Sequence, residues 1–171
     1  MNIHEYQATE LFRKAGVPVV SGRVAENVDE AVAIARETGY PVVLKSQVLV
    51  GGRGKAGCVK VVRTEEELRS TFAVIRNLTI KGYPVEKILV VKAINIKKEF
   101  YAAITIDPAC DDVVLIASSE GGVEIEETAK KNPQAIKKFY LQGTRQVDHV
   151  QLKKFVTTVF ENPAQHEAGV K

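Results

Sequence analysis

Near the start of the chain, Ile3, Tyr6, Leu11 and Phe12 recur at helical spacing, and Gly16 supplies a stop. That pattern predicts an amphipathic helix, followed by an extended stretch through Pro18 and a short strand at residues 22–25. Asn27 with Glu30 reads as a capping box for a second helix, whose apolar positions include Val32, Ala33 and Ile34 and which Gly39 ends. Tyr40-Pro41 turns the chain into residues 41–45 (PVVLK), a mostly buried strand ending in a charge. Residues 58–63 (CVKVVR) form another short strand, and Thr64 with Glu67 caps a helix carrying Leu68, Phe72 and Ile75. Gly82-Tyr83-Pro84 breaks that helix before a strong strand at 87–93 (KILVVKA).

Farther on, residues 99–107 and 113–118 flank a turn-rich stretch at 108–112 and read as a β-hairpin. Ser119–Gly122 (SEGG) is a loop opening onto a helix at 123–131, Asn132-Pro133 restarts a short helix over PQAIKKFY, and a further helix spans about 150–160. The tail, 161–171, lacks periodicity and is expected to be loosely held.

Composition narrows the class without naming a function. With 171 residues, 45% apolar and 26% charged, the chain suits one soluble domain, or one domain of two lobes. Net charge is +3, with lysines and glutamates interspersed, so nucleic acid is not the expected partner. Cys58 and Cys110 stand far apart, which argues against a disulfide framework or a zinc site and fits a cytoplasmic setting. No apolar run approaches a membrane span, and the first residues lack a signal-peptide core.

Candidate chemistry gathers at residues 51–57, GGRGKAG. Gly52, Gly54 and Gly57 satisfy G-x-G-x-x-G, but a strand follows, where a dinucleotide-binding fingerprint needs a helix. A Walker A loop fails as well, because Leu49 stands where its first glycine belongs and Ala56 follows Lys55. What remains is a strand–loop–strand flap. Glycines let backbone N–H groups approach an anion, and Arg53, Lys55 and the strand-ending Lys45 add positive charge. A surface hairpin with solubilising charges has the same composition.

Three segments together carry a resemblance: NIHEYQATELFRKAGVPV, VVLKSQVLVGGRGKAG and ASSEGGVEIEE. In order and spacing they resemble the β subunit of succinyl-CoA synthetase, an ADP- or GDP-forming acid–CoA ligase (succinate–CoA ligase), over roughly residues 1–138. The resemblance implies an α/β (α+β) ATP-grasp fold, incomplete at the C-terminus and without the family's CoA-ligase domain. It implies two lobes, about 1–20 with 105–171 in one and 21–104 in the other.

It also implies roles. Lys45 corresponds to the family's phosphate-binding lysine; Gly52, Arg53 and Gly54 correspond to its nucleotide loop; Glu99 corresponds to a glutamate of the nucleotide site. Ser119, Glu120, Gly121 and Gly122 match a loop expected to face the phosphohistidine carried by a partner α subunit, its N–H groups turned toward an anion. His4, His149 and His166 lack metal-ligand spacing, and His4 is expected to serve packing or capping. The implied ligands are ATP/ADP or GTP/GDP with Mg²⁺. Three departures qualify this: Val91 and Ile94 stand where family members carry polar hinge residues, Cys58 replaces a glycine, and the family's Mg²⁺-ligand segment is not recognisable. Little activity is expected of the isolated chain.

Overall fold

The computed structural model describes residues 2–50, 57–122, 124–141, 143 and 147–166. They form two compact units, Met1–Asn95 and Ile96–Lys171. The N-terminal helix therefore belongs with the first unit, whereas the expected lobes joined residues 1–20 to the C-terminal segment.

In the first unit, α1 (Glu5–Lys14), β1 (Gly22–Ala25), α2 (Val28–Thr38), β2 (Val42–Gln47), β3 (Val59–Val62), α3 (Glu65–Arg76), β4 (Thr79–Ile80), β5 (Tyr83–Pro84) and β6 (Lys87–Lys92) follow in order. Both expected N-caps are present. The Glu30 N–H donates to the Asn27 side chain at 2.9 Å, and the Glu67 N–H donates to Thr64 Oγ1 at 3.1 Å. The reciprocal half of each expected capping box is displaced by one residue: the N–H groups of Glu26 and Arg63, which precede the caps, donate to the carboxylates of Glu30 and Glu67. Strands β1-β6-β2-β3 form an antiparallel sheet in that order. Side chains alternate across it. One face, with Ala25, Val42, Leu44, Val62, Ile88 and Val90, is buried against Ala31, Val32, Ile34 and Ala35 of α2 and Leu68, Phe72 and Ile75 of α3.

Residues 82–84, expected only to break a helix, instead supply β5, which pairs with β4. Lys81 (φ 49°) and Gly82 (φ 87°) both take positive φ, as the tight type I′ hairpin turn demands.

The second unit holds a three-stranded antiparallel sheet, β7 (Tyr101–Asp107), β8 (Asp112–Ser118) and β9 (Ile136–Tyr140), with α4 (Ile125–Lys131) and α5 (His149–Val159). The expected hairpin over 99–118 is present as β7 and β8. The expected helix over PQAIKKFY is not. Only Pro133–Ala135 makes a 3-10 turn, and Ile136–Tyr140 runs as β9 beside β8. Phe139 packs its ring 5.5 Å from that of Phe155 on α5, and tertiary pairing of this kind overrides a weak local helical pattern. The tail is also less loose than expected as far as it is described: Pro163–Gln165 forms a turn, and a ring nitrogen of His166 lies 2.8 Å from the Phe160 carbonyl oxygen. Among the described residues no helix is long and apolar enough to cross a membrane, and neither cysteine is in a disulfide.

The sheet of the second unit carries its own titrating contact. The Tyr140 hydroxyl donates to Asp107 Oδ2 at 2.8 Å, with Lys138 Nζ 3.3 Å from the same oxygen. The tyrosine hydroxyl first, then the Ala109 N–H and the Lys138 ammonium, hold the Asp107 carboxyl below its ordinary range. Its contribution to stability is complete above the unfolded-chain value of about 4 and is lost as pH falls through the lower folded value. Tyr140→Phe removes the main donor. Urea midpoints measured by circular dichroism from pH 6 downward should then fall less steeply below about pH 4 than in the wild type. An unaltered slope would show that this contact is not titrating.

Candidate functional site

The face of the four-stranded sheet that turns away from α2 and α3 is where the predicted phosphate lysine stands. Directly opposed residues of antiparallel strands share a face. The register therefore lines up Val24, Leu89, Lys45 and Val59 in one row, and Gly22, Val91, Val43 and Val61 in the next. On the β3 side this face is open: Val59 and Val61 keep 40% and 46% of their surface exposed. It thus joins an exposed apolar strip to the Lys45 ammonium, with Lys87 on the same face opposite Gln47.

Close packing shapes the other end of the rows. A Cβ built on Gly22 would collide with the Val91 side chain and lie 3.0 Å from the Val90 carbonyl oxygen. Val91 is buried, so the residue standing at the expected hinge position is a packing element against β1. Ile94, the second departure, is 58% exposed.

Lys45 is not bare. Its Nζ lies 2.8 Å from Glu5 Oε1, with the two side chains 31% and 28% exposed. Glu5 is the first residue of α1, and the adjoining Tyr6 N–H donates to Gln47 Oε1 at 3.2 Å. Gln47 is buried, and its amide donates in turn to the carbonyls of Lys45 and Ser46. His4 precedes the helix as its N-cap, in keeping with the capping role expected of it, and its N–H donates to Gln7 Oε1. Glu5 and Gln47 were not singled out in the sequence. The opening HEYQ segment was the available signal, but nothing in it indicates which strand it meets.

β2 and β3 are adjacent antiparallel strands, so the glycine loop does connect strand to strand. Gly52, Arg53 and Gly54 themselves lie outside the described residues.

In the second unit, the structure brings Glu99 together with the SEGG loop. The Gly121 N–H donates to the Glu99 carbonyl oxygen at 3.2 Å. A Cβ on Gly122 would run into the Glu99 carboxylate, so that side chain lies directly over the loop. The Glu120 N–H donates to Ser118 Oγ at 3.1 Å, and Asn132 Nδ2 donates to the Glu120 carboxylate. Two N–H groups expected to meet an anion are therefore used within the loop. The helix that follows begins with Glu126 and Glu127 in its first turn, an acidic rather than anion-attracting start. Ser119 is half-buried beside Ser118.

The family profile described as an ATP-grasp domain matches residues 2–169. The chain belongs to the ATP-grasp family. Among curated relatives, it is 50% identical over 141 residues to the β subunit of the GDP-forming succinate–CoA ligase of Thermus thermophilus, covering 82% of this chain and 37% of that protein. To the ADP-forming β subunit of Haloarcula marismortui it is 42% identical over 170 residues, covering 99% of this chain and 42% of the relative. This ATP-grasp chain thus spans well under half the length of the curated relatives it matches.

Solved structures agree on the ATP-grasp fold. The dinucleotide-forming acetyl-coenzyme A synthetase 1 of Candidatus Korarchaeum cryptofilum, in complex with coenzyme A, Ca-AMPCP and HgCl+, superposes with a TM-score of 0.75 at 26% identity. The match covers 94% of this chain and 67% of that one. A Pyrococcus horikoshii protein of 23% identity gives a TM-score of 0.77, covering 98% and 72%, and speaks for the fold alone. Among the described residues no three His, Cys, Asp or Glu side chains come together as metal ligands.

Proposed function

We propose that this chain supplies the phosphate-binding part of the nucleotide site in the β subunit of an acid–CoA ligase of the succinate–CoA ligase type. In that reading, succinyl-CoA cleavage is coupled to ADP or GDP phosphorylation through a phosphohistidine on a partner α subunit. Lys45 neutralises the phosphates, and the exposed Val59–Val61 strip offers an apolar surface to the remainder of the nucleotide. Gly52, Arg53 and Gly54 contribute loop N–H groups and charge, and Glu99 contributes a carboxylate toward the nucleoside. The loop at Ser119, Glu120, Gly121 and Gly122 is the surface offered to the α subunit.

The observation that carries the reading is the position of Lys45: a partly exposed ammonium beside the open Val59–Val61 strip, at the end of the β2–β3 pairing that leads into the glycine loop. A partly exposed ammonium there suits a phosphate. The relatives named above support the substrate class.

Calorimetric titration with ADP or GDP and Mg²⁺ tests it. Lys45→Ala should weaken binding at least tenfold, since a hydrogen bond to a charged group contributes about 1.5–3 kcal/mol. An affinity unchanged by that substitution would overturn the phosphate assignment.

A second reading is a fold-retaining module that binds an α-like partner without turning over nucleotide. It is supported by Val91, a buried packing residue where the family resemblance implies a polar hinge residue. Wild-type protein that gives no titration heat with either nucleotide yet co-elutes with an α subunit would favour it.

A further inference from the structure

The carboxylate on Lys45 is a built contact. Glu5 opens a helix of ten residues, so its backbone is set, and an acidic residue in a first turn is favoured by the helix dipole. The next residue's N–H is anchored to Gln47, and Gln47 is itself buried and braced by the carbonyls of Lys45 and Ser46. The helix start and the lysine are thereby tied to the same three residues of β2. The Glu5 carboxylate reaches Lys45 at 2.8 Å because of that tie, although the two residues are 40 positions apart in sequence.

We infer that Glu5 is an acidic placeholder that sets how tightly Lys45 holds phosphate. The inference rests on the nucleotide reading above. An ammonium has three N–H donors, and Glu5 engages it as an acceptor, leaving donors for an incoming phosphate oxygen. A carboxylate beside that oxygen carries the same sign of charge and repels it. The arrangement keeps Lys45 compensated before nucleotide arrives and lowers the affinity once it has bound. Glu5 is in this sense a positioning and affinity-setting residue rather than a catalytic one.

The test is a double-mutant cycle read by ADP titration at fixed salt and Mg²⁺. Glu5→Gln removes the charge and keeps the shape, and should tighten ADP binding by about three- to tenfold. Glu5→Asp restores the charge and should bring the affinity back toward the wild type. In a Lys45→Met background, Glu5→Gln should tighten binding by clearly less, because the competition for the ammonium is gone and only direct repulsion of the phosphate remains. Thermal melts of each variant establish that it is folded; a merely structural Glu5 would change the melts and leave the cycle without coupling.

If Lys45→Met abolishes binding while Glu5→Gln leaves it unchanged or weaker, the placeholder role fails and the phosphate reading stands. If the folded wild type binds no ADP, the phosphate reading fails and the placeholder role falls with it.

Discussion

Gly121→Ala is expected to cost the second unit about 3 kcal/mol or more, an overpacking effect at the upper end of the usual range. An added Cβ would sit 2.5 Å from both the Glu99 carbonyl carbon and the Phe100 nitrogen, and 2.7 Å from the Glu99 oxygen. All three are main-chain atoms, so no side-chain rotation relieves the contact. The segment cannot easily retreat either. The Phe100 ring lies 4.6 Å from that of Phe160 in a tilted pair, and the next residue, Tyr101, begins the β7–β8 ladder opposite Ser118. Opening the gap would also break the hydrogen bond from Gly121 to Glu99. Gly82→Ala is the matching control: φ is +87°, but nothing lies within 4 Å, so only the backbone penalty of about 1–2 kcal/mol applies. Urea unfolding followed by circular dichroism compares them, and a Gly121 variant no less stable than the Gly82 variant would contradict the close approach.

Leu44→Ala should be as damaging in the first unit, by about 3–5 kcal/mol. Leu44 has no exposed surface and sits in β2, an interior strand of the sheet, between Val90 of β6 and Lys60 of β3. Its side chain fills the layer beneath α2 and α3, and removing three carbons leaves a cavity that the strands, held on both sides, cannot close. A loss of that size is a large fraction of the total stability of an ordinary domain, about 5–15 kcal/mol. Ile104→Ala, at a position 75% exposed, should stay within about 0.5 kcal/mol of the wild type. Equal melting temperatures for the two variants would mean that the sheet is not packed as described. Because neighbouring residues on a strand point to opposite faces, Leu44→Ala should also leave nucleotide affinity nearly unchanged wherever the variant is still folded.

In the second unit, a contact between two segments was missing from the local reading of each. Glu99 and the SEGG loop were each read as facing a ligand. In the fold they pack on one another, and Gly121 is needed for the close passage of Glu99–Phe100. Similarly, Lys45 was legible as a charge ending a buried strand, yet its carboxylate neighbour was not. A window of sequence contains no sign that residue 5 meets residue 45.

Much was nevertheless written in the chain. Both N-caps, the helix faces carrying Val32, Ile34, Leu68 and Phe72, and the β7–β8 hairpin follow from spacing, because capping and amphipathic period act within a few residues. The strand order β1-β6-β2-β3, the conversion of residues 136–140 into β9, and the partners of Lys45 and Gly121 came only with the tertiary structure. These depend on which distant surfaces bury one another, and that is settled by packing summed over the whole core rather than by any local preference.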